Sequence, residues 1–187
     1  MLGAAEKYSN GEYVGVIYHF DGNNWERLKI PEMKTAFKTI RKIDNGNYIV
    51  VTYNHEGGWL ERAYIFDGVS QLTEITTDEQ GISLHNIKDN TYIVIRGIIY
   101  KCYKNKLLKW RDFTADGYGN GIIGWNENNF FGYSDKGIIH FNGTDIRLMY
   151  KTDLWEYGYF ATGKDVFVIS ENPNTGLQII IRGTLKE

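Results

Sequence analysis

Short apolar and aromatic runs recur along the whole chain, each closed by a cluster of Asn, Asp, Gly or Lys. Runs of that length between such punctuation predict β-strands joined by tight turns, and no long stretch carries the 3.6-residue period of an amphipathic helix. One unit repeats, an apolar-aromatic strand, a turn and a second strand. It reads Val16-Ile-Tyr-His-Phe-Asp-Gly22 followed by 25–30, and again Ala63-Tyr-Ile-Phe-Asp-Gly68 followed by 71–75. Weaker copies are Ile98-Ile-Tyr-Lys-Cys102 turning near Asn105 into 107–110, Ile138-Ile-His-Phe-Asn-Gly143 into 146–150, and Leu177-Gln-Ile-Ile-Ile-Arg-Gly183. Each Asp-Gly or Asn-Gly pair lies between two apolar runs, which predicts hairpins with two-residue type I′ turns.

Ahead of these hairpins lies a second pattern. Polar turns at 44–47, 88–90, 126–129 and 163–165 lead into apolar strands at 48–52, 91–95, 130–131 and 166–169. Further strands precede them near 39–43, 82–87, 121–125 and 155–161. Three central units therefore read as strand A, turn, strand B, loop, strand C, turn, strand D. With Gly22, Gly68, Asn105, Gly143 and Gly183 as equivalent points, subtraction gives spacings of 46, 37, 38 and 40, the period of a four-stranded propeller blade, about 40 residues. Residues 31–42 compete with this reading, because Pro31 suits a first helical position and Met33, Phe37 and Ile40 have helical spacing. A short helix inserted there accounts for the longest spacing, and helix is expected nowhere else.

The turn Tyr18-His-Phe-Asp-Gly-Asn-Asn-Trp25 resembles that of bacterial β-propellers whose blades carry an aromatic-x-aromatic-Asp/Asn-Gly-x-x-Trp motif. Later copies put Leu72, Leu108 and Ile146 in the place of Trp25. Asp21 and Gly22 are adjacent, unlike the Ser-x-Asp-x-Gly-x-x-Trp box of sialidase-like propellers. The resemblance implies one all-β domain, 1–187, of about five four-stranded units, the first lacking strand A and the last lacking strand D. Such a ring is open, part of a longer propeller, or completed by another chain, since unpaired strand edges are sticky.

Composition narrows the function classes. The 187 residues carry 21 Lys and Arg against 23 Asp and Glu, a formal net charge of -2, so no basic surplus argues for nucleic acid. No apolar run is long enough for a membrane helix, and residues 1–10 lack a secretory signal pattern. The compartment stays open between the cytoplasm and a secreted or cell-surface place reached by a signal outside these residues. The single Cys102 excludes an internal disulfide; it stands where other repeats have Phe20, Phe66 and Phe141, and reads as a small apolar residue. His19 and His140 likewise share one repeat position, matched by Ile65, Lys101 and Ile180, so the histidines read as repeat geometry and no metal or cofactor is expected. Gly119-Asn-Gly121-Ile-Ile-Gly124 matches a dinucleotide-binding glycine pattern by letter, but a strand follows it where a helix is required.

What remains is a set of aromatic and acidic residues on predicted loops. In propellers the B–C and D–A loops share one rim, so the resemblance brings together Trp59, Tyr118, Trp155 and Tyr157, with Glu56 and Asp116 nearby. Flat aromatic faces beside carboxylates suit a sugar, a peptide or a cation. The competing reading has Trp155, Tyr157 and Tyr159 filling the space between blades. The expected function is a non-enzymatic module binding a carbohydrate, peptide or protein partner, with a homo-oligomer or a neighbouring domain completing the open edges. The alternative is a propeller-type glycoside hydrolase or lyase using the loop carboxylates Glu56, Asp116, Asp135 and Glu171.

Overall fold

The computed structural model describes residues 2–7, 11, 13–43, 46–54, 60–76, 81–88 and 90–184. Five antiparallel sheets follow one another along the chain. Blade 1 is β1 (Leu2–Lys7), β2 (Tyr13–Phe20) and β3 (Trp25–Arg27). Blade 2 is β4 (Ala36–Lys42), β5 (Tyr48–Asn54), β6 (Leu60–Phe66) and β7 (Leu72–Glu74). Blade 3 is β8 (Ile82–Ile87), β9 (Asn90–Ile95), β10 (Ile98–Tyr103) and β11 (Lys106–Asp112). A single 3-10 turn, Thr114–Asp116, leads to blade 4: β12 (Tyr118–Asn126), β13 (Asn129–Ser134), β14 (Gly137–Phe141) and β15 (Ile146–Lys151). Blade 5 is β16 (Trp155–Thr162), β17 (Asp165–Glu171) and β18 (Gln178–Thr184). Within each sheet the strands lie in chain order, the arrangement of a β-propeller. The β2–β3 hairpin carries Asp21 and Gly22 as β6–β7 carries Asp67 and Gly68, so among the described residues blade 1 lacks the counterpart of β4 and blade 5 the counterpart of β15.

Blades are joined face to face. Strand residues alternate between the two faces, so one strand feeds two seams. On β5, Val50 packs toward blade 1 while Ile49 and Val51 pack toward blade 3. On β9, Ile93 and Ile95 face blade 2 while Tyr92 and Val94 face blade 4. Phe130 and Phe131 divide in the same way between blades 3 and 5. This is why the second strands are continuously apolar: both faces are covered.

Residues 31–42 form no helix. Residues 36–42 are β4, paired with β5 from Ala36 opposite Tyr53 to Lys42 opposite Tyr48. Phe37, Met33 and Ile40 lie in the seam with Ile17, Val50 and Phe66, and a ladder plus that burial outweighs a weak local helical pattern. The space was prepared on blade 1, where a Cβ at Gly15 would come within 2.9 Å of the Phe37 ring.

The turns also depart from expectation. Asp21, Asp67 and Asn142 do not have positive φ; only the glycines after them do, Gly22, Gly68 and Gly143. Their hairpin loops are longer than two residues, and the side chain of the first residue organises each one. Asp67 Oδ1 accepts the backbone N–H groups of Val69, Ser70 and Gln71 at 2.8–3.0 Å. Asp21 Oδ1 accepts those of Asn23 and Asn24, and Asn142 Oδ1 those of Thr144 and Asp145. Between β10 and β11 the two-residue turn does occur, with Lys104 and Asn105 both at positive φ. Gly183 is not a turn residue; it sits inside β18 opposite Val166. Counting from that register, Arg182 opposite Phe167, not Ile180, takes the place of His140 opposite Phe131.

Candidate functional site

The B–C turns and D–A loops do share one rim, tied by backbone hydrogen bonds. Phe113 N–H donates to Gly97 O at 3.0 Å, Asp135 N–H to Gly117 O at 3.1 Å and Thr152 N–H to Lys136 O at 3.2 Å. Asp135 folds over Gly117, where a Cβ would meet its Oδ1 at 2.2 Å; Gly117 has φ +66° and closes the 3-10 turn.

On this rim an open cleft of about 540 Å³ lies between blades 4 and 5. Its lining includes Asp135 on the β13–β14 turn, Asp153 on the β15–β16 loop, and Trp155 and Glu156 at the start of β16. The Tyr133 hydroxyl donates to Leu154 O and pins that loop. Trp155 is 59% exposed and lies opposite Glu171, on the face of blade 5 turned away from blade 4. Tyr157, also 59% exposed, is the extra residue of a β-bulge between Glu156 and Gly158, and its hydroxyl reaches Glu171 Oε1 at 3.3 Å. Of the three aromatics that alternate here, Tyr159 alone fills the space between blades 4 and 5.

The expected site residues are therefore only partly brought together. Trp155 and Tyr157 are neighbours on β16, and Glu171 joins them. Asp135 lies across the cleft. Asp116 closes the 3-10 turn and Tyr118 opens β12 on the same rim, one residue either side of Gly117. Glu56 and Trp59 lie outside the described residues, as do Asp44, Asn45, His55 and Asp89.

Behind the cleft runs a buried polar chain that the loop-based expectation missed. Glu156 hydrogen-bonds the Tyr159 hydroxyl, and burial pushes its carboxyl up to about 7. Burial, with the Glu156 carboxylate beside it, pushes the Tyr159 phenol well above its ordinary range. The Tyr159 ring lies 5.7 Å from that of His85 on β8. Burial first, then the positive charges of Arg41 and Lys38, hold the His85 imidazole down at about 4. Ser170, opposite Glu156 on β17, has a buried hydroxyl without a hydrogen-bond partner, as do Ser83 Oγ and His85 Nε2 on β8. Lys38 reaches this region from β4. It is the bulged residue between Phe37 and Thr39, and its Nζ donates to Glu61 Oε1 at 2.6 Å and to Ile82 O at 2.9 Å. A bulge that re-aims one side chain is a recurrent device beside sites. The sequence did hold one signal: Ile82-Ser-Leu-His85 alternates apolar with polar, so Ser83 and His85 share the opposite face from the core residues Ile82 and Leu84.

No family model matches the chain, and no curated protein matches its sequence. Among solved structures, it is similar to the crystal structure of selenomethionine-substituted virginiamycin B lyase from Staphylococcus aureus, with a TM-score of 0.54 and 14% identity over 98% of this chain and 69% of that one. Likeness at that identity defines the class of fold, a β-propeller, and assigns no activity.

Proposed function

We propose that the chain is a propeller module that binds its ligand at the rim cleft between blades 4 and 5. The observation that carries the reading is Trp155, more than half exposed at the edge of a concave cleft along which Asp135, Asp153 and Glu156 place carboxyl groups. An indole left in water forfeits about 25 cal/mol per Å² of apolar surface, which a stacked sugar ring or peptide side chain recovers, while the carboxylates accept its hydroxyl or amide hydrogens. Carbohydrate and peptide both fit that chemistry. The experiment is a titration of intrinsic fluorescence with a panel of trisaccharides and short peptides, repeated on Trp155→Ala. A ligand that binds the natural chain should lose about 1–3 kcal/mol of affinity in the variant, the size of a stacking contact on this scale. Equal binding by both would remove the cleft from the reading.

A lyase or glycoside hydrolase is the second reading, and Glu156 favours it. A carboxyl pushed up to about 7 by burial, hydrogen-bonded to a phenol that lies against an imidazole, has the ionisation expected of a group that gives or takes a proton. The structurally similar protein is itself named a lyase. Turnover of aryl glycosides or uronides that disappears in Glu156→Gln would move the function to this class.

A further inference from the structure

The four strands β4, β8, β12 and β16 open blades 2 to 5, and each contributes to one polar cluster that lies apart from the Trp155 face. Ser83 and His85 stand two residues apart on the same face of β8. Their Oγ and Nε2 are closed off from solvent without hydrogen-bond partners, although each residue keeps part of its surface open. Native proteins leave few buried polar atoms unpaired, and two on one strand face ask for a reason. From β16 the Tyr159 hydroxyl arrives over β12 at Gly121, where a Cβ would lie 1.2 Å from that oxygen and 3.2 Å from His85 Cε1. Gly121 thus leaves the room in which phenol and imidazole meet. From β4 come the positive charges of Lys38 and Arg41, both felt at His85.

The acids nearby are already engaged. Glu61 accepts from Lys38 Nζ at 2.6 Å and from the Ile82 N–H at 2.5 Å. Glu156 holds the Tyr159 hydroxyl. Tyr92, opposite His85 on β9, gives its hydroxyl to Glu127 at 2.7 Å, and Glu127 also takes Lys101. What is left without a partner on this face of β8 is a hydroxyl and an imidazole nitrogen, with positive charge behind them.

We propose that Ser83, His85 and Tyr159, with the charge of Arg41 and Lys38 behind them, form a subsite for the carboxylate of a small ligand. The hydroxyl of Ser83 and the ring N–H of His85 donate to the carboxylate oxygens, which gives both orphaned atoms a partner. An anion beside His85 also favours the imidazolium, so binding takes up a proton and tightens as pH falls. Glu156 works in the same direction at higher pH, losing its charge near 7 before His85 takes up its proton.

The experiment is a proton NMR titration of the histidine ring signals, His85 being assigned by its loss in His85→Gln. Acetate is the probe, acetamide its uncharged counterpart, and galacturonate and glycylglycine separate a sugar acid from a peptide C-terminus. Acetate is expected to raise the His85 midpoint by about one unit, which is about tenfold tighter binding to the protonated form, and acetamide to leave it in place. Whichever of the two larger probes shifts His85 at lower concentration than acetate names the source of the carboxylate. The exposed Arg41→Gln should weaken acetate severalfold without loss of fold, which keeps the test valid should His85→Gln unfold. Glu156→Gln should keep the His85 shift. An unmoved midpoint in acetate, an equal shift in acetamide, or full acetate affinity in Arg41→Gln overturns the proposal.

Discussion

The Tyr159 hydroxyl occupies the place where a side chain on Gly121 would begin: a Cβ built there falls 1.2 Å from it. Gly121 has φ +94° as well, so backbone and packing exclude the same substitution for separate reasons. Gly121→Ala is expected to cost about 2–4 kcal/mol, strain at positive φ adding to overpacking, read as a lowered urea midpoint. Tyr159→Phe on that background removes the colliding oxygen and should recover part of the loss. No recovery would mean that backbone strain alone sets the cost.

Two groups of the buried chain titrate against each other. Glu156 has a folded pKa raised to about 7, so the stability it permits is full below its unfolded value and is lost as pH rises to 7. His85 has a folded pKa lowered to about 4; its contribution is full above its unfolded value and is lost as pH falls to 4. Each span is worth on the order of 3 kcal/mol by linkage, with opposite sign between the two unfolded values, near pH 4.5 and 6.5. Unfolding free energy should therefore be nearly flat over that window. Glu156→Gln should expose a rise with pH and His85→Gln a fall, both measurable by urea denaturation at three pH values. Parallel profiles in the two variants would contradict the assignment.

The repeat was legible because its physics is local. A period-2 or continuously apolar run between Asn, Asp and Gly turns identifies a strand without knowledge of its neighbours, and Ile82–Ile87 agrees to the residue with expectation. Residues 31–42 left two readings open because Phe37 and Ile40 satisfy both a helical spacing and a seam between blades, and only the partner surface at Gly15 and Val50 decides. The polar chain was hidden for the same reason. Glu156, Tyr159 and His85 come from strands about 70 residues apart in sequence, and blade stacking alone makes them neighbours. Trp155 and Tyr157 could be singled out as aromatics, but which of the three alternating rings faces inward depends on the bulge at Tyr157.

Asp67 offers a local test of the hairpin loops. Its carboxylate receives three backbone N–H groups, and these hydrogen bonds hold its pKa below the usual carboxylate range. Asp67→Ala should cost about 1 kcal/mol, the net worth of such capping, while Asp67→Asn, which keeps the acceptor, should cost less. Asn142 already plays the part with an amide. Equal losses in both variants would show that the charge, rather than the acceptor geometry, organises the loop.

The face of blade 5 turned away from blade 4 carries the last prediction. Phe167 opposite Arg182 repeats the pairs Tyr92 with Lys101, Phe131 with His140 and Ile49 with Ile65, in which Tyr92, Phe131 and Ile49 are packed against the following blade, and Ile169 opposite Ile180 shares its face. In blade 5 Phe160 is 62% and Ile180 70% exposed, with Ile169 also open. Burying each such side chain is worth about 1.5–3 kcal/mol. Two copies pressing these three residues together would recover about 9–18 kcal/mol against an association cost of about 4–15. The middle of both ranges leaves about 4 kcal/mol, a dissociation constant around the millimolar range. Sedimentation of the 187-residue chain should then show concentration-dependent self-association, abolished by Ile180→Lys, which adds charge at an exposed site and leaves the fold intact. A monomer at every concentration would mean that this face needs the complementary surface of a further blade rather than its own copy.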